Sequence, residues 1–332
     1  LESRKEAFLK KYLITGGSGF IGSHLVDLLM KDGNQVVVLD NLSTGKISNL
    51  NLDSSRNGLK FTQGSILDVS LVNKLVSEVD EVFHLAAAVG VDLIIKQPLE
   101  SLETNIKGSE IVLEACSKYM KKVLVTSTSE IYGKNTSEEL AEDDDRILGS
   151  PLKSRWSYSE AKAIEEILAH TYYKIKNLPT VIVRLFNTVG PRQVGRYGMV
   201  VPRFVEQSMK NADITVFGQG NQRRCFCHVS DVVVAIRDLM NSPSAVGEVF
   251  NIGSQSEISI TNLAKTIKEF HNSKSNIKYI PYETAYSSGF EDMERRRPNI
   301  SKIHNQIGWK PQYELKTIIA DMTDYFENQK LG

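Results

Sequence analysis

The chain has 332 residues, with 40 Lys and Arg against 40 Asp and Glu, and is 41% hydrophobic and 24% charged. Balanced charge argues against a nucleic-acid binder, which carries a basic excess, and the ordinary apolar fraction argues against disorder. The length predicts two domains, or one large α/β domain with an elaboration, while three cysteines are too few for a disulfide framework and suit a reducing compartment.

Residues 1–11 are charged and lack the apolar core of a signal peptide. The chain starts at Leu1 without a Met, which suggests a trimmed or engineered start. The longest apolar run, 85–91, is broken by Asp92 and falls short of the ~20 residues of a membrane span. A cytoplasmic location is therefore expected. Short β-rich runs occur at 11–15, 35–39, 59–63, 81–85, 123–126, 180–185 and 248–252. Helical patterns fall between them at 19–30, 71–79, 99–119 and 159–176. Regular alternation of this kind predicts a Rossmann-type, doubly wound parallel sheet in an α/β fold, and uninterrupted apolar strands such as QVVVL suit burial on both faces.

After Leu185 the texture changes. Residues 190–198 read as a loop, 202–211 as a helix and 214–217 as a strand leading into the turn 218–221. Helical patterns at 261–270 and 315–326 come next, separated by Tyr279-Ile280-Pro281 and an Arg-rich loop. A dinucleotide-type domain over 11–187 is expected, with returns near 226–238 and 248–253. A smaller α/β domain takes most of 188–330. The acidic run 142–145 reads as a solvated loop.

The stretch TGGSGFIG (15–22) places Gly16, Gly19 and Gly22 between a strand and a helix. Gly16 makes the tight turn, Gly19 admits a pyrophosphate to the helix N-terminus, and Gly22 lets helix and strand pack closely. The second strand ends in Asp40, whose carboxylate can accept from both hydroxyls of the adenosine ribose and repels a 2′-phosphate, favouring NAD over NADP. Further on, YSEAK (158–162) sets Tyr158 and Lys162 four apart on one helix face. A neighbouring ammonium and a cationic nicotinamide both favour the phenolate, so Tyr158 is expected to have a lowered pKa and to act as a base on a sugar hydroxyl.

With these two motifs the chain resembles the extended short-chain dehydrogenase/reductase family, in its nucleotide-sugar epimerase/dehydratase branch. HLAA (84–87), TNIKGSEIVLEAC (104–116), TSTSEIYG (126–133), RLFNTVGPR (184–192), FGQGNQRRCFCHVSDVV (217–233) and RRRPNISKI with GWKP (295–311) also carry the resemblance. It implies a catalytic triad of Thr128, Tyr158 and Lys162, with Thr128 also on the sugar O4 and Lys162 on the nicotinamide ribose. It implies cofactor contacts from Phe20, Ile21, Asn41, Ser43, Thr44, Gly45, Ser65, Ile66, Leu85, Ala86, Ala87, Asn105 and Thr126. Ser65 is a departure, since many relatives carry Asp there for the adenine, although Ile66 and Asp68 keep the rest. Asn187 is implied as a diphosphate ligand, Arg224 and Arg296 as ligands of phosphate or ribose oxygens, and Val200, Val201 and Phe217 as the base pocket. Such relatives pair two helices across a homodimer as a four-helix bundle, and the apolar spacing in 111–119 and 164–172 fits that.

Three side-chain groups admit plainer readings. Cys225, Cys227 and His228 offer too few ligands at the wrong spacing for a metal, so alternating burial along a strand is expected. His84 is expected to be a satisfied structural histidine, not a catalytic one. Glu130 is either a base for elimination or a carboxylate held by backbone at a strand end.

The shared first step of the branch is oxidation at sugar C4. A UDP-hexose 4-epimerase needs only the triad and is the narrow expectation. Glu130 opens two alternatives. In a 4,6-dehydratase it would be the base, although the usual partner Asp is Ser129 here. A UDP-glucuronate decarboxylase also tends to carry Thr-Ser-Glu, and Arg155, three before Tyr158, matches its pattern. A non-catalytic NAD sensor would have shed Tyr158 or Lys162.

Overall fold

The computed structural model describes residues 9–52, 57–89, 97–153, 156–195, 199–285, 293 and 295–331. Strand and helix alternate from the start: β1 (Lys11–Thr15), α1 (Phe20–Lys31), β2 (Gln35–Asp40), β3 (Leu59–Gln63), α2 (Val69–Ser77), β4 (Glu81–His84), α3 (Pro98–Lys118), β5 (Lys122–Thr128), α4 (Ser157–Lys176) and β6 (Thr180–Leu185). The later part is built from β7 (Thr188–Val189), α5 (Val200–Met209), β8 (Ile214–Phe217), β9 (Arg223–Cys225), β10 (Cys227–His228), α6 (Val229–Asn241) and β11 (Val249–Ile252). It closes with β12 (Glu257–Ser259), α7 (Ile260–Phe270), β13 (Ile277–Ile280), α8 (Tyr282–Ala285), α9 (Ser301–Ile307) and α10 (Leu315–Leu331).

Seven strands form one sheet in the order β11-β6-β5-β4-β1-β2-β3, parallel throughout. Interior strands are buried on both faces, and every residue of β2 after Gln35 is enclosed. Edge strand β3 is only half-buried, as its mixed LKFTQ sequence requires. Helices α1 and α6 cover one face through Leu25, Val26, Leu29, Val232 and Ile236. On the other face α2, α3 and α4 contribute Val72, Val112 and Ala169. Each such side chain contributes roughly 1.5–3 kcal/mol on burial. Strand order reverses between β1 and β4, and at such a reversal the C-terminal strand ends open a crevice.

A third core holds Phe204 and Val205 of α5, Val216 of β8, Leu263 and Ile267 of α7 and Met322 of α10. The chain leaves it between Phe226, which belongs to this core, and Cys227, which packs in the sheet core with α6. Pairing of β11 with β6 then extends the main sheet.

Two expectations need correcting. Residues Cys225 to His228 do not alternate: all four are buried, because Phe226 and Cys227 insert into different cores. The acidic run is not wholly solvated either. Glu142 Oε1 accepts from the Asn251 backbone N at 2.7 Å, its carbonyl accepts from Arg184 at 2.7 Å, and burial raises its pKa. Helix α9, to which the sequence assigned no element, is short and buries only Ile303 of SKIHNQI. Among the described residues no helix is long and apolar enough to cross a membrane.

Candidate active site

A cavity of about 650 Å³ runs from the loop after β1 to the start of α5 and the end of β8. At its first end, Gly16 has φ +71° and sits against the Ala86 backbone, where a Cβ would come within 2.8 Å. A Cβ at Gly22 would collide with the Gly16 carbonyl oxygen. Helix α1 starts with no side-chain cap and no acid in its first turn, whereas α2 is capped by Asp68. Its first N–H groups are thus left for an anion.

Asp40 closes this end. Its carboxylate accepts from Ser18 N at 2.9 Å and Leu42 N at 2.8 Å. Each oxygen keeps a lone pair for a hydroxyl, while burial raises the pKa against those two bonds. Glycine loop, uncapped helix and ribose-facing carboxylate fit a dinucleotide without a 2′-phosphate. The lining includes Gly16, Gly19, Phe20, Ile21 and Gly22, then Asn41, Ser43 and Thr44 beside Asp40. Ile66, Leu85, Ala86, Ala87 and Thr126 complete that wall.

Gly45, Ser65 and Asn105 do not line it. A Cβ on Gly45 would press on the Ser18 backbone, which places Gly45 beneath the loop. Ser65 Oγ accepts from Leu67 N at 3.2 Å, closing a local turn. Asn105 acts on the wall from behind: its Oδ1 accepts from Ala88 N at 2.7 Å and its Nδ2 donates to Ala88 O at 3.2 Å. His84 is likewise satisfied, with Nδ1 2.7 Å from Thr15 Oγ1 and Nε2 2.8 Å from Ser109 Oγ. Burial, followed by the Lys162 charge, lowers its pKa to about 3.

At mid-cavity β5 ends in Thr128, whose Oγ1 accepts from Glu130 N at 3.2 Å, starting a 3-10 turn over Ser129–Tyr132. Ser159 Oγ ties that turn to α4 by donating to Glu130 O at 2.9 Å. Thr128, Tyr158, Lys162 and Glu130 all line the space. Burial pushes the Tyr158 phenol up, Glu165 and Glu130 add to this, and a hydrogen bond with Thr128 opposes it. The expectation of a phenol lowered by Lys162 is not met. Burial of the phenol is the first reason and the charge of Glu165, a residue not singled out in the sequence, the second. Lys162 Nζ donates to Glu165 Oε2 at 2.6 Å, with both side chains buried.

Arg296 also departs from its expected place. Its NH1 donates to Glu130 Oε1 at 2.5 Å and lies 3.4 Å from Ser129 Oγ, so the guanidinium sits beside the triad. Glu130 Oε1 is thus paired with a guanidinium. Arg155 lies outside the described residues.

The far end gathers Asn187, Val200, Val201, Phe217 and Arg224. Asn187 Nδ2 donates to Cys225 O at 3.0 Å, and buried Arg224 donates to the Arg223 carbonyl at 2.8 Å. The Arg203 guanidinium stacks 3.9 Å over the Phe217 ring, and Gln222 Nε2 donates to the Tyr282 hydroxyl at 2.9 Å. These three neighbours went unrecognised because their pairing depends on how α5, β8 and α8 meet. Only Gln222 lay in a quoted motif.

Comparison with known proteins agrees with this geometry. The family model described as GDP-mannose 4,6 dehydratase matches residues 13–322. A UDP-N-acetyl-alpha-D-glucosaminuronate decarboxylase of Bacillus cytotoxicus is 40% identical, over 96% of this chain and 98% of that protein. UDP-glucuronic acid decarboxylase 1 of Xenopus tropicalis is 33% identical, over 96% and 73% respectively. A solved UDP-glucuronic acid 4-epimerase from Bacillus cereus, in complex with UDP-glucuronic acid and NAD, superposes with a TM-score of 0.85 at 30% identity, covering 96% of this chain and 99% of that one. The chain belongs to the GDP-mannose 4,6-dehydratase family, the nucleotide-sugar epimerases, dehydratases and decarboxylases of the extended short-chain dehydrogenase/reductase group.

Proposed function

We propose that this protein is an NAD-dependent decarboxylase of a UDP-hexuronate, with UDP-glucuronate and UDP-N-acetylglucosaminuronate as the candidate substrates. The observation that carries the reading is the buried Arg296 guanidinium on Glu130 and Ser129, beside the triad. A neutral hexose offers that cation no charge to pair with, whereas a C6 carboxylate does. The two decarboxylase relatives support this alternative over the UDP-hexose 4-epimerase expected from sequence, for which the triad would suffice.

In the proposed reaction Tyr158 takes the C4 hydroxyl proton, Lys162 holds the nicotinamide ribose, and Thr128 orients O4. NAD, held by the glycine loop, Asp40 and Lys162, would supply the hydride acceptor for oxidation at C4 and the hydride for the closing reduction, in which Tyr158 gives its proton back to O4. The resulting ketone is β to the C6 carboxylate, so the C5–C6 bond breaks with its electron pair delocalised onto O4. Tyr158 and Thr128 stabilise that oxyanion by hydrogen bonding. Arg296 exchanges Glu130 for the sugar carboxylate and orients it. Glu130, released, delivers the solvent-derived proton that C5 needs once CO2 has left.

In this scheme residues 11–187 with the two returns serve the cofactor, and most of 188–330 serves the UDP moiety. Asn187, Arg224 and Phe217 lie at the far end for diphosphate and base. Ile164 and Ile167 on α4 are 37% and 61% exposed, which supports a homodimer through α3 and α4. All three cysteines are unpaired and buried, which supports a reducing, cytoplasmic setting. Mass spectrometry after incubation with UDP-glucuronate, UDP-N-acetylglucosaminuronate and UDP-glucose tests the reaction. Products lacking CO2 from either hexuronate are expected, while isomers that keep the carboxylate would contradict it.

A further inference from the structure

The cluster at the start of α4 contains a buried acid for which the reaction above has no task. Glu165 is 0% exposed. Its Oε2 accepts from Lys162 at 2.6 Å, and its Oε1 has no well-formed hydrogen bond. Burying a carboxylate is unfavourable by several kcal/mol even when it is paired, and burial raises this carboxyl to about 7 against the pull of Lys162. An apolar side chain at 165 would carry no such penalty of its own but would leave the enclosed Lys162 ammonium without its counter-ion, so packing alone does not account for Glu165.

Its position relative to the base does. Tyr158, Lys162 and Glu165 succeed one another at spacings of four and three along α4, which puts them on one face. Facing them are Glu166 on the same helix, Ser109 on α3, Thr128 and Glu130 at the end of β5, and His84 behind Ser109. His84 stays neutral, and Glu166 is occupied by Arg184 of β6 at 2.8 Å. Arg296 comes up beside the triad but is paired with Glu130, so Lys162 is the cation on the Tyr158 helix face that would favour a phenolate, and Glu165 is its counter-ion.

We propose that Glu165 is a positioning residue for the catalytic base: its carboxylate holds the Lys162 ammonium and offsets its charge, so that Tyr158 releases its proton at a higher pH than an unpaired lysine would set. The proposal rests on Tyr158 being the base in the reaction above, but its readout does not need the substrate to be known. In the full-length protein with NAD bound, the phenolate absorbance of Tyr158 is titrated by subtracting a Tyr158→Phe partner from its parent. This is done for the wild type and for Glu165→Gln. The Tyr158 midpoint is expected to fall by about one pH unit or more in Glu165→Gln, with the acidic limb of kcat falling in parallel and KM little changed. A midpoint that stays in place or rises overturns the proposal, including the case where melting temperature and kcat drop together. If Glu165→Gln does not fold, Glu165→Met removes the same charge at similar volume. A shifted midpoint without turnover on any hexuronate would uphold this role and defeat the decarboxylase reading; CO2 release with an unshifted midpoint would do the reverse.

Discussion

Two ion pairs stand at the reacting end of the cavity, and they are built in opposite ways. Lys162 and Glu165 are three residues apart on one helix and both fully enclosed. Glu130 and Arg296 are 166 residues apart in sequence, and Glu130 keeps more contact with the cavity. The first pair is in place once α4 forms and packs, and it suits a step common to the family: removing a proton beside a dinucleotide. The second exists only after the segment near residue 296 has docked beside β5, and it suits the chemistry that comes after C4 is oxidised. Local pairs can tune shared chemistry, while a pair closed across the chain can tell one substrate from another.

Breaking the first pair's client has the largest expected effect. Tyr158→Phe should reduce turnover by about 10²–10⁴-fold, with NAD affinity measured by calorimetry unchanged. Near-wild-type turnover would remove Tyr158 from the mechanism. Breaking the second pair should separate the two steps. Arg296→Gln is expected to lower kcat/KM on the hexuronate by about 10²–10³-fold, while absorbance still reports transient NADH formation. Loss of NADH formation as well would mean that the pairs do not divide the reaction. Gly22→Ala tests the dinucleotide cradle, apart from either pair. Its methyl must push on the Gly16 carbonyl, destabilising the fold by about 1–3 kcal/mol in denaturant titrations and weakening NAD binding.

The last effect bears on stability, not turnover, and concerns two histidines that do not line the cavity. Burial lowers His24 from 6.5 to about 4 and His84 from 6.5 to about 3, so both stay neutral where the unfolded chain takes up protons. Stability is therefore present above pH 6.5 and is lost as pH falls, toward 4 for His24 and toward 3 for His84, at up to about 1.4 kcal/mol per pH unit for each histidine. Replacing His24 with Gln should flatten that slope in thermal melts between pH 6.5 and 4; an unchanged slope would contradict its being neutral.

Much of the fold and the cofactor site was legible in the sequence. The glycine loop, Asp40 and the Tyr158–Lys162 spacing are contiguous motifs whose geometry comes from one turn or one helix. The strands of the main sheet announced themselves as short apolar runs. Glu165 was not legible, because a Glu three residues from a Lys ordinarily marks a solvated helix face, and only the packing of α3 turns it inward. The Glu130–Arg296 pair was hidden for a different reason: local sequence carries no record of which residues meet 166 positions apart. Reading Arg296 as a ligand of phosphate or ribose oxygens put the residue in this cavity but did not foresee its contact with Glu130.

The central claim is that Arg296 and Glu130 serve loss of a sugar carboxylate. Incubating the protein with UDP-glucuronate or UDP-N-acetylglucosaminuronate labelled with carbon-13 at C6, in deuterated water, tests it most directly by NMR. The account predicts labelled CO2 or bicarbonate matching the sugar nucleotide consumed, with deuterium at C5 of the product. Label retained in a C4-inverted sugar nucleotide, with no label released from either substrate, would contradict it.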